Sequence, residues 1–238
     1  KLRLARPGLL VDLGRVTELA YVRRTNGLLA FGAMARLSEL ESAQTRSLCP
    51  ILAAAARHIG HPPIRPRGTI CGSLAHADPA AELPVLALAL NADFSVTGPG
   101  GNRVVQARDF FVTSLTTSLA PGELLVEARF PVLGPRTGWG FQELSRRHGD
   151  FAIVAAAAVI EAAPAGTIGK ARIALGAVAD RPIRCAEAEA ALIGTRGEAH
   201  AFEAAAAAAV AALDPPADVH ASSAYRRRIA KVLVERAL

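Results

Sequence analysis

The sequence predicts an α+β protein built from two domains that meet near residue 135. Three observations predict it. Runs that read as strands are followed by runs that read as helices, which argues for α+β. The stretch from Pro131 to Pro135 is the best linker in the chain. A length of 238 residues suffices for one large domain or two modest ones with a substantial core. The expected division is 1–135 and 136–238.

Taken in order, the chain opens at Lys1, without methionine, inside an apolar and basic stretch that reads as a helix tail ended by Pro7-Gly8. A portion upstream is therefore expected. Residues 9–13 are a short apolar run with the look of a strand, 28–34 a second, and 35–42 a short helix. Ser47 is placed to cap a helix over 48–59, where Leu48, Ile51, Leu52, Ala55 and Ile59 keep helical spacing, and Gly60 ends it. Residues 61–79 are dense in proline and glycine and are expected to form an ordered loop without regular structure. A helix is expected from Pro84 to Leu90, with Asn91 as its left-handed C-terminal residue. Residues 92–97 and 103–106 read as a hairpin, and 124–130 as a further strand. Beyond the linker, 138–147, 151–162 and 170–178 alternate well enough for three antiparallel strands. Residues 186–193, 199–213 and 222–238 then read as helices. No strict repeat is present.

Composition narrows the function classes. Hydrophobic residues make up 51% and the mean hydropathy is +0.28, but alanine runs such as 155–158 and 204–209 inflate both. No stretch is long and apolar enough to predict a membrane span, and no signal peptide is visible, which points to the cytoplasm. Three widely spaced cysteines, Cys49, Cys71 and Cys185, suggest neither a disulfide framework nor an iron–sulfur site. The net charge of +6 is spread evenly and is mostly arginine. No basic patch alternates with aromatics, so nucleic acid is not the expected partner. A dinucleotide phosphate or an acidic protein would suit this charge.

The candidate site is Gly68-Thr-Ile-Cys-Gly-Ser73. Glycines let successive backbone N–H groups turn inward around a diphosphate, Thr69 and Ser73 add hydroxyls, and Arg65 and Arg67 make the neighbourhood positive. Alone, the pattern also fits a tight turn, and it is neither a Walker loop nor a G-x-G-x-x-G fingerprint. Other readings stay open beside it. Asp78 before Pro79 fits a helix cap or a ligand-binding residue. Cys71, His76 and Asp78 could form a cysteine-dependent hydrolase site. His58 and His61 lack a third metal ligand and read as helix-end and loop residues. Arg146-Arg147-His148 reads as a solvated strand end or a cofactor neighbour, and Arg226-Arg-Arg228 as a solvated helix face or a subunit contact.

Read whole, Ile64-Arg-Pro-Arg-Gly-Thr-Ile-Cys-Gly-Ser-Leu-Ala-His-Ala-Asp-Pro-Ala-Ala-Glu-Leu-Pro84 closely resembles the second FAD-binding loop of the molybdenum hydroxylase flavoproteins, the carbon monoxide/xanthine dehydrogenase type. That family's pattern is R-N-R-G-T-I-G-G-[SN]-L-A-H-A-D-P-A-A-E-L-P. The resemblance continues through Leu10-Val-Asp-Leu13, Ala55-Ala-Arg-His-Ile-Gly-His-Pro62, Asp109-Phe-Phe111, Leu119-Ala-Pro-Gly-Glu-Leu-Leu125, Asp150-Phe-Ala152 and Tyr225-Arg-Arg227. It implies an FAD-binding domain of the vanillyl-alcohol-oxidase/PCMH type, followed by a C-terminal domain with a three-stranded antiparallel sheet and helices. It implies FAD on this chain, with molybdopterin on a large partner subunit, two [2Fe–2S] clusters on a small one, and a dimer of heterotrimers. Electrons would pass from the clusters through FAD to an external acceptor.

By the same resemblance Thr69, Ile70, Cys71, Gly72 and Ser73 wrap the diphosphate, and Glu82 accepts from a sugar or ribityl hydroxyl. Ile59 packs near the flavin, the Leu125 backbone touches it, and Gln142 stands near the ring. Asp78 is the remaining cofactor candidate, and no side chain need act as acid or base. Two departures from the family pattern matter. Cys71 replaces a glycine, which costs about 1–2 kcal/mol if the backbone is left-handed there, and its side chain is expected to crowd a phosphate. The family's first FAD loop, of A-G-G-x-S type, would precede Leu2 and is not in the sequence. The alternative function is therefore a truncated, flavin-free partner-binding remnant.

Overall fold

The computed structural model describes residues 8–238; the expected helix tail before Pro7 lies outside them. Among the described residues the first domain is built on a five-stranded antiparallel sheet. Strands β1 (Val22–Thr25) and β2 (Leu28–Gly32) form a hairpin across Asn26-Gly27, both with positive φ (48° and 75°). Asn-Gly suits that two-residue turn because both positions must be left-handed; β1 was not among the expected strands. The segment 9–13, expected as a strand, is irregular and solvent-facing, with Leu10 83% exposed.

A 3-10 turn at Leu37–Glu41 leads into α1 (Ala43–Leu48) and α2 (Pro50–Ala56). The expected single helix over 48–59 is thus two. Ser42, not Ser47, is the cap, its Oγ accepting from the Thr45 N–H at 3.2 Å. Pro50 cannot continue the first helix and instead opens the second. The proline-rich segment holds α3 (Ile70–His76), where only a loop was expected. Its prolines lie outside the helix, and Thr69 caps it. Helix α4 (Glu82–Ala89) starts earlier than Pro84, and Asn91 has the expected left-handed backbone, φ 50°.

Strands β3 (Asp93–Gly98) and β4 (Gly101–Gln106) form the expected hairpin. After α5 (Ala107–Phe110) come the short pair β5 (Phe111–Thr113) and β6 (Thr116–Thr117), then β7 (Leu124–Pro131). β7 enters the middle of the sheet, giving the order β1-β2-β7-β3-β4. Phe31 packs edge-on against Phe130 at 5.9 Å, and Phe94 against Phe110 at 4.6 Å.

The second domain carries β8 (Thr137–Ser145), β9 (Ala152–Ala162) and β10 (Ile168–Gly176), the three long antiparallel strands expected, plus a two-residue edge strand β11 (Ile183–Arg184). Helices α6 (Ala186–Leu192), α7 (Ala199–Ala211) and α8 (Ser223–Ala237) cover one face. The other face packs on the first domain through Phe141, Ala155, Ala157 and Val159. β9 is therefore buried on both sides, which explains its alanine run: small side chains let layers approach from both directions.

Helix α4 is buried along its whole length between the two sheets, so its sequence has no polar face. Two glycines mark the tightest approaches. A Cβ on Gly176 would lie 2.3 Å from Val85 Cγ2 of α4, and one on Gly140 would lie 2.1 Å from the Ala237 carbonyl of α8. Among the described residues no helix is long and apolar enough to cross a membrane.

Candidate functional site

The loop before α3 is held by its own backbone. Leu37 N–H donates to the Gly68 carbonyl and Ile70 N–H to the Ala35 carbonyl, each at 3.0 Å, tying the loop to the exit of β2. Arg36 Nη1 donates to the Arg67 carbonyl at 2.6 Å. Thr69 Oγ1 accepts from the Gly72 N–H at 3.1 Å, and the Thr69 carbonyl from the Ser73 N–H at 3.0 Å. A Cβ on Gly72 would stand 2.5 Å from Thr69 Oγ1, so the cap requires glycine there. Several amides expected to turn toward a ligand are thus already bonded within the chain.

Cys71 departs from both expectations placed on it. It sits in helical backbone, absent from the positive-φ positions, so the glycine-to-cysteine change carries no left-handed strain. Its side chain is 2% exposed and its Sγ faces the Phe31 carbonyl at 3.7 Å. It points into the core, not toward a phosphate. Burial pushes the thiol up to about 12, so it is protonated at neutral pH and unfit as a nucleophile. The hydrolase reading falls with it.

A cleft of about 1250 Å³ opens at the seam of the two domains. Thr69, Gly72, Ser73 and His76 form its floor, with Arg67 beside them. Leu37, Ile59 and Ile64 give one apolar wall, and Asp78 through Glu82 a second of mixed character, two acids flanking Pro79, Ala80 and Ala81. The second domain closes the far side with Arg146, Gly149 through Ile153, Ala177, Asp218, His220 and Arg226. Such a volume exceeds what drug-sized ligands commonly fill. Apolar side chains, the arginines Arg67 and Arg146 and the hydroxyls of Thr69 and Ser73 match the parts of a dinucleotide: flat rings, a diphosphate and sugars. On this test the residues present fit FAD.

Of the residues singled out by sequence, Ile59, Thr69, Gly72, Ser73, Asp78 and Glu82 are brought together on this cleft. Ile70, Cys71, Leu125 and Gln142 are not part of its lining among the described residues. Ile70 and Leu125 are in the hydrophobic core, Leu125 opposite Val96 within the sheet. Gln142 pairs with Ala156 across β8 and β9, on the opposite strand face from its neighbours Phe141 and Glu143. Asp78 is not a helix cap: its Oδ1 accepts from Ala80 N–H at 2.9 Å in a turn, and Ala81 precedes the helix. Arg65, expected to add positive charge beside the loop, is spent on Glu41, Nε to Oε2 at 3.0 Å, and on the Ile59 and Gly60 carbonyls.

Two features were missed in the sequence. Arg226, expected on a solvated helix face or at a subunit contact, is 5% exposed. It donates to the Ile153 and Ala177 carbonyls and, through Nη2, to Asp218 Oδ2 at 2.6 Å. It thereby pins the loop before α8 to the cleft wall. Only tertiary structure brings these partners together, although a lone arginine inside an otherwise apolar helical stripe was a usable signal. The second feature is Glu143. Its side chain is 1% exposed, and neither oxygen has a hydrogen-bond partner among the described residues. Burial, with repulsion from Glu82, pushes this acid up to about 8. Glu82, at the start of α4, is itself raised to about 7 by burial, its own backbone N–H opposing the rise and Asp78 adding to it. The signal available was alternation: Glu143 shares an inward strand face with Phe141. His58 Nδ1 stands 3.9 Å from Glu143 Oε1, and its ring lies over His148 at 6.4 Å and edge-on to Phe141 at 5.4 Å. Burial, then Arg57 and His148, hold this imidazole below its ordinary value. Among the described residues no group of three His, Cys, Asp or Glu could hold a metal.

Comparisons with known proteins agree with this geometry. Residues 1–133 match the family described as FAD binding domain in molybdopterin dehydrogenase. Residues 139–238 match the CO dehydrogenase flavoprotein C-terminal domain. The chain is 45% identical to the alpha subunit of the 6-hydroxypseudooxynicotine dehydrogenase complex of Paenarthrobacter nicotinovorans, over 99% of this chain and 80% of that one. It is 37% identical to the carbon monoxide dehydrogenase medium chain of Hydrogenophaga pseudoflava, over 100% and 83%. Among solved structures, carbon monoxide dehydrogenase from that organism superposes with a TM-score of 0.95 at 38% identity, covering 100% of this chain and 83% of that one. Quinoline 2-oxidoreductase from Pseudomonas putida 86 gives 0.92 at 37%, covering 99% and 82%.

Proposed function

Because the chain belongs to the FAD-binding subunits of the molybdenum hydroxylase family, we propose that it holds FAD in the interdomain cleft and passes electrons through it. The electrons come from [2Fe–2S] clusters of a small partner subunit, which receive them from a molybdopterin centre on a large one, and leave to an external acceptor. Bound flavin supplies the exchange between one-electron and two-electron steps. The observation that carries the reading is the cleft itself, which joins Thr69, Gly72 and Ser73, the buried Glu82 and the arginines Arg67 and Arg146 in one continuous space.

The residues of this chain bind, orient and exclude water. Thr69 and Ser73 offer hydroxyls to the diphosphate, with Arg67 supplying charge. Glu82, a buried acid at the start of α4 whose own backbone N–H bonds its carboxylate, accepts a further bond from a sugar or ribityl hydroxyl. Ile59 offers apolar contact to the ring, and Asp78 holds the turn that sets Glu82. Ile70, Cys71 and Leu125 act from behind, by packing the loop and the central strand, and Gln142 serves through its place on β8. We place the domain division at residue 135, within the segment joining β7 to β8. The assembly we favour is a dimer of heterotrimers in the cytoplasm.

The test is purification of the chain expressed with its two candidate partner subunits, followed by a visible spectrum. A yellow complex of the three chains with about one flavin per copy of this one is expected. A folded, colourless chain that still copurifies would show the flavin-free remnant instead.

A further inference from the structure

A second cavity, of about 250 Å³, lies in the seam between the domains and shares no lining residue with the cofactor cleft. The first domain supplies Leu88 of α4, Arg108 of α5 and Phe111 of β5. The second supplies Arg181 from the loop after β10, with Ile183 and Arg184 of β11. Three guanidiniums line the cavity and no acid does. Two of them are already engaged. Arg184 is fixed by both carboxylate oxygens of Glu189, at 2.6 and 2.7 Å, and by the Asn91 amide oxygen at 2.6 Å. Arg108 lies 3.4 Å from its neighbour Asp109, both side chains exposed. Arg181 makes no ion pair among the described residues; its Nη1 reaches the Phe111 and Val112 carbonyls at 3.4 and 3.5 Å. Bonds that long are weak and easily given up.

An apolar base beside one uncompensated guanidinium suits a compact apolar monoanion. Arginine presents a planar fork that a carboxylate matches with two parallel bonds. An apolar cavity of about 150 Å³ holds benzene, so 250 Å³ accommodates a single ring with its carboxylate. We propose that this cavity binds a small aromatic carboxylate, its carboxyl on Arg181 and its ring on Leu88, Phe111 and Ile183, and that the bound acid tightens the cofactor cleft. The coupling, though not the site, rests on the reading that FAD occupies that cleft. Both cavities take their walls from both domains, so each ligand prefers a closed seam to an open one. Two ligands that prefer the same state raise each other's affinity. The loop between β10 and β11 belongs to both cavities: Ala177 and Ala179 line the cleft, and Arg181 and Pro182 the second cavity. That loop has little slack. Ala177 holds a left-handed backbone, φ 60°, which is uncommon for alanine. Its N–H donates to the Pro79 carbonyl at 2.8 Å, and its carbonyl accepts from Arg226 at 3.1 Å. From the first domain Thr113 Oγ1 donates to Asp180 Oδ2 at 2.7 Å.

Benzoate is the probe. The complex of the three chains, loaded with FAD, is titrated with benzoate by calorimetry, and FAD release on dilution is followed by the rise in flavin fluorescence. One benzoate per copy of this chain should bind, with a Kd of about 1 mM or tighter. Arg181→Gln, at an exposed position that folding does not depend on, should weaken binding at least about tenfold, and Arg181→Lys, which keeps the charge but not the fork, by less. Benzamide, of the same shape without the charge, should bind at least about tenfold more weakly than benzoate. Saturating benzoate should slow FAD release from wild type about fivefold and leave release from Arg181→Gln unchanged. The proposal is overturned if wild type binds no benzoate, or if Arg181→Gln binds it as tightly. It is overturned equally if benzamide or inorganic sulfate binds there as well as benzoate does, or if saturating benzoate leaves FAD release unaltered. A complex that binds benzoate through Arg181 but holds no flavin would keep the site and sink the FAD reading, and with it the coupling.

Discussion

Replacing Glu143 with glutamine keeps the shape of the side chain and removes its charge, so its effect on stability should depend on pH. Burial lifts this acid from an ordinary value of 4.5 to about 8. Between those values the folded chain keeps a proton that the unfolded chain releases. The stability linked to this proton is fully present below about pH 4.5 and is lost as the pH rises through 8. At about 1.36 kcal/mol per pH unit the ceiling is roughly 5 kcal/mol. Local relaxation and water entry reduce such penalties, so a difference of about 2–4 kcal/mol is expected. Urea unfolding of wild type and Glu143→Gln at pH 5, 7 and 9 measures it. The two should lie within about 1 kcal/mol of each other at pH 5, and the variant should be the more stable by about 2–4 kcal/mol at pH 9. Parallel stability curves across that range would refute the reasoning, because they would mean that Glu143 ionises freely.

Three further outcomes follow from packing. Arg226→Ala leaves the Ile153 and Ala177 carbonyls and Asp218 without their donor, and calorimetry should show a loss of about 3–5 kcal/mol, with weaker FAD binding as the cleft wall loosens. Gly140→Ala should cost about 1–3 kcal/mol because its Cβ meets the Ala237 carbonyl at 2.1 Å, while Gly138→Ala, with open space around it, should fold with less than about 1 kcal/mol of change in the same melt. Cys71→Gly restores the family pattern yet empties a buried position; chemical denaturation should show a loss of about 1–2 kcal/mol rather than a gain.

The sequence carried the family and the longer strands β2, β3, β4, β7, β8, β9 and β10, because loop composition and alternation are local properties; the place of β7 in the middle of its sheet is not. It carried less of the site's interior. Residues 61–79 read as pure loop because proline and glycine outweighed one good helix cap, Thr69, whose value depends on Gly72 lying where no Cβ can fit. Ser47 and Ser42 are equally good caps on paper; Pro50 decides between them only once the chain is seen to break at Cys49. The 9–13 run has the composition of a strand but is irregular and solvent-facing, paired with none of the described strands. Cys71 looked like a threat to a phosphate because its direction is set by α3, which was not foreseen. Arg226 and Glu143 are the deepest misses. Both lie in segments whose pattern was assigned correctly and whose periodicity put them on the inward face, but what they meet there is set by the second layer of structure, which no local pattern encodes.

The central claim, that this cleft holds FAD, is tested most directly by titrating the purified protein with FAD and following flavin fluorescence. Gly72→Val serves as the comparison, since its Cβ would displace the Thr69 cap on the cleft floor. Saturable binding of one FAD per chain by wild type, weakened at least about tenfold in the variant, is the result predicted, a change of about 1.4 kcal/mol. A wild-type protein that unfolds cooperatively but neither binds FAD nor quenches its fluorescence would contradict the account.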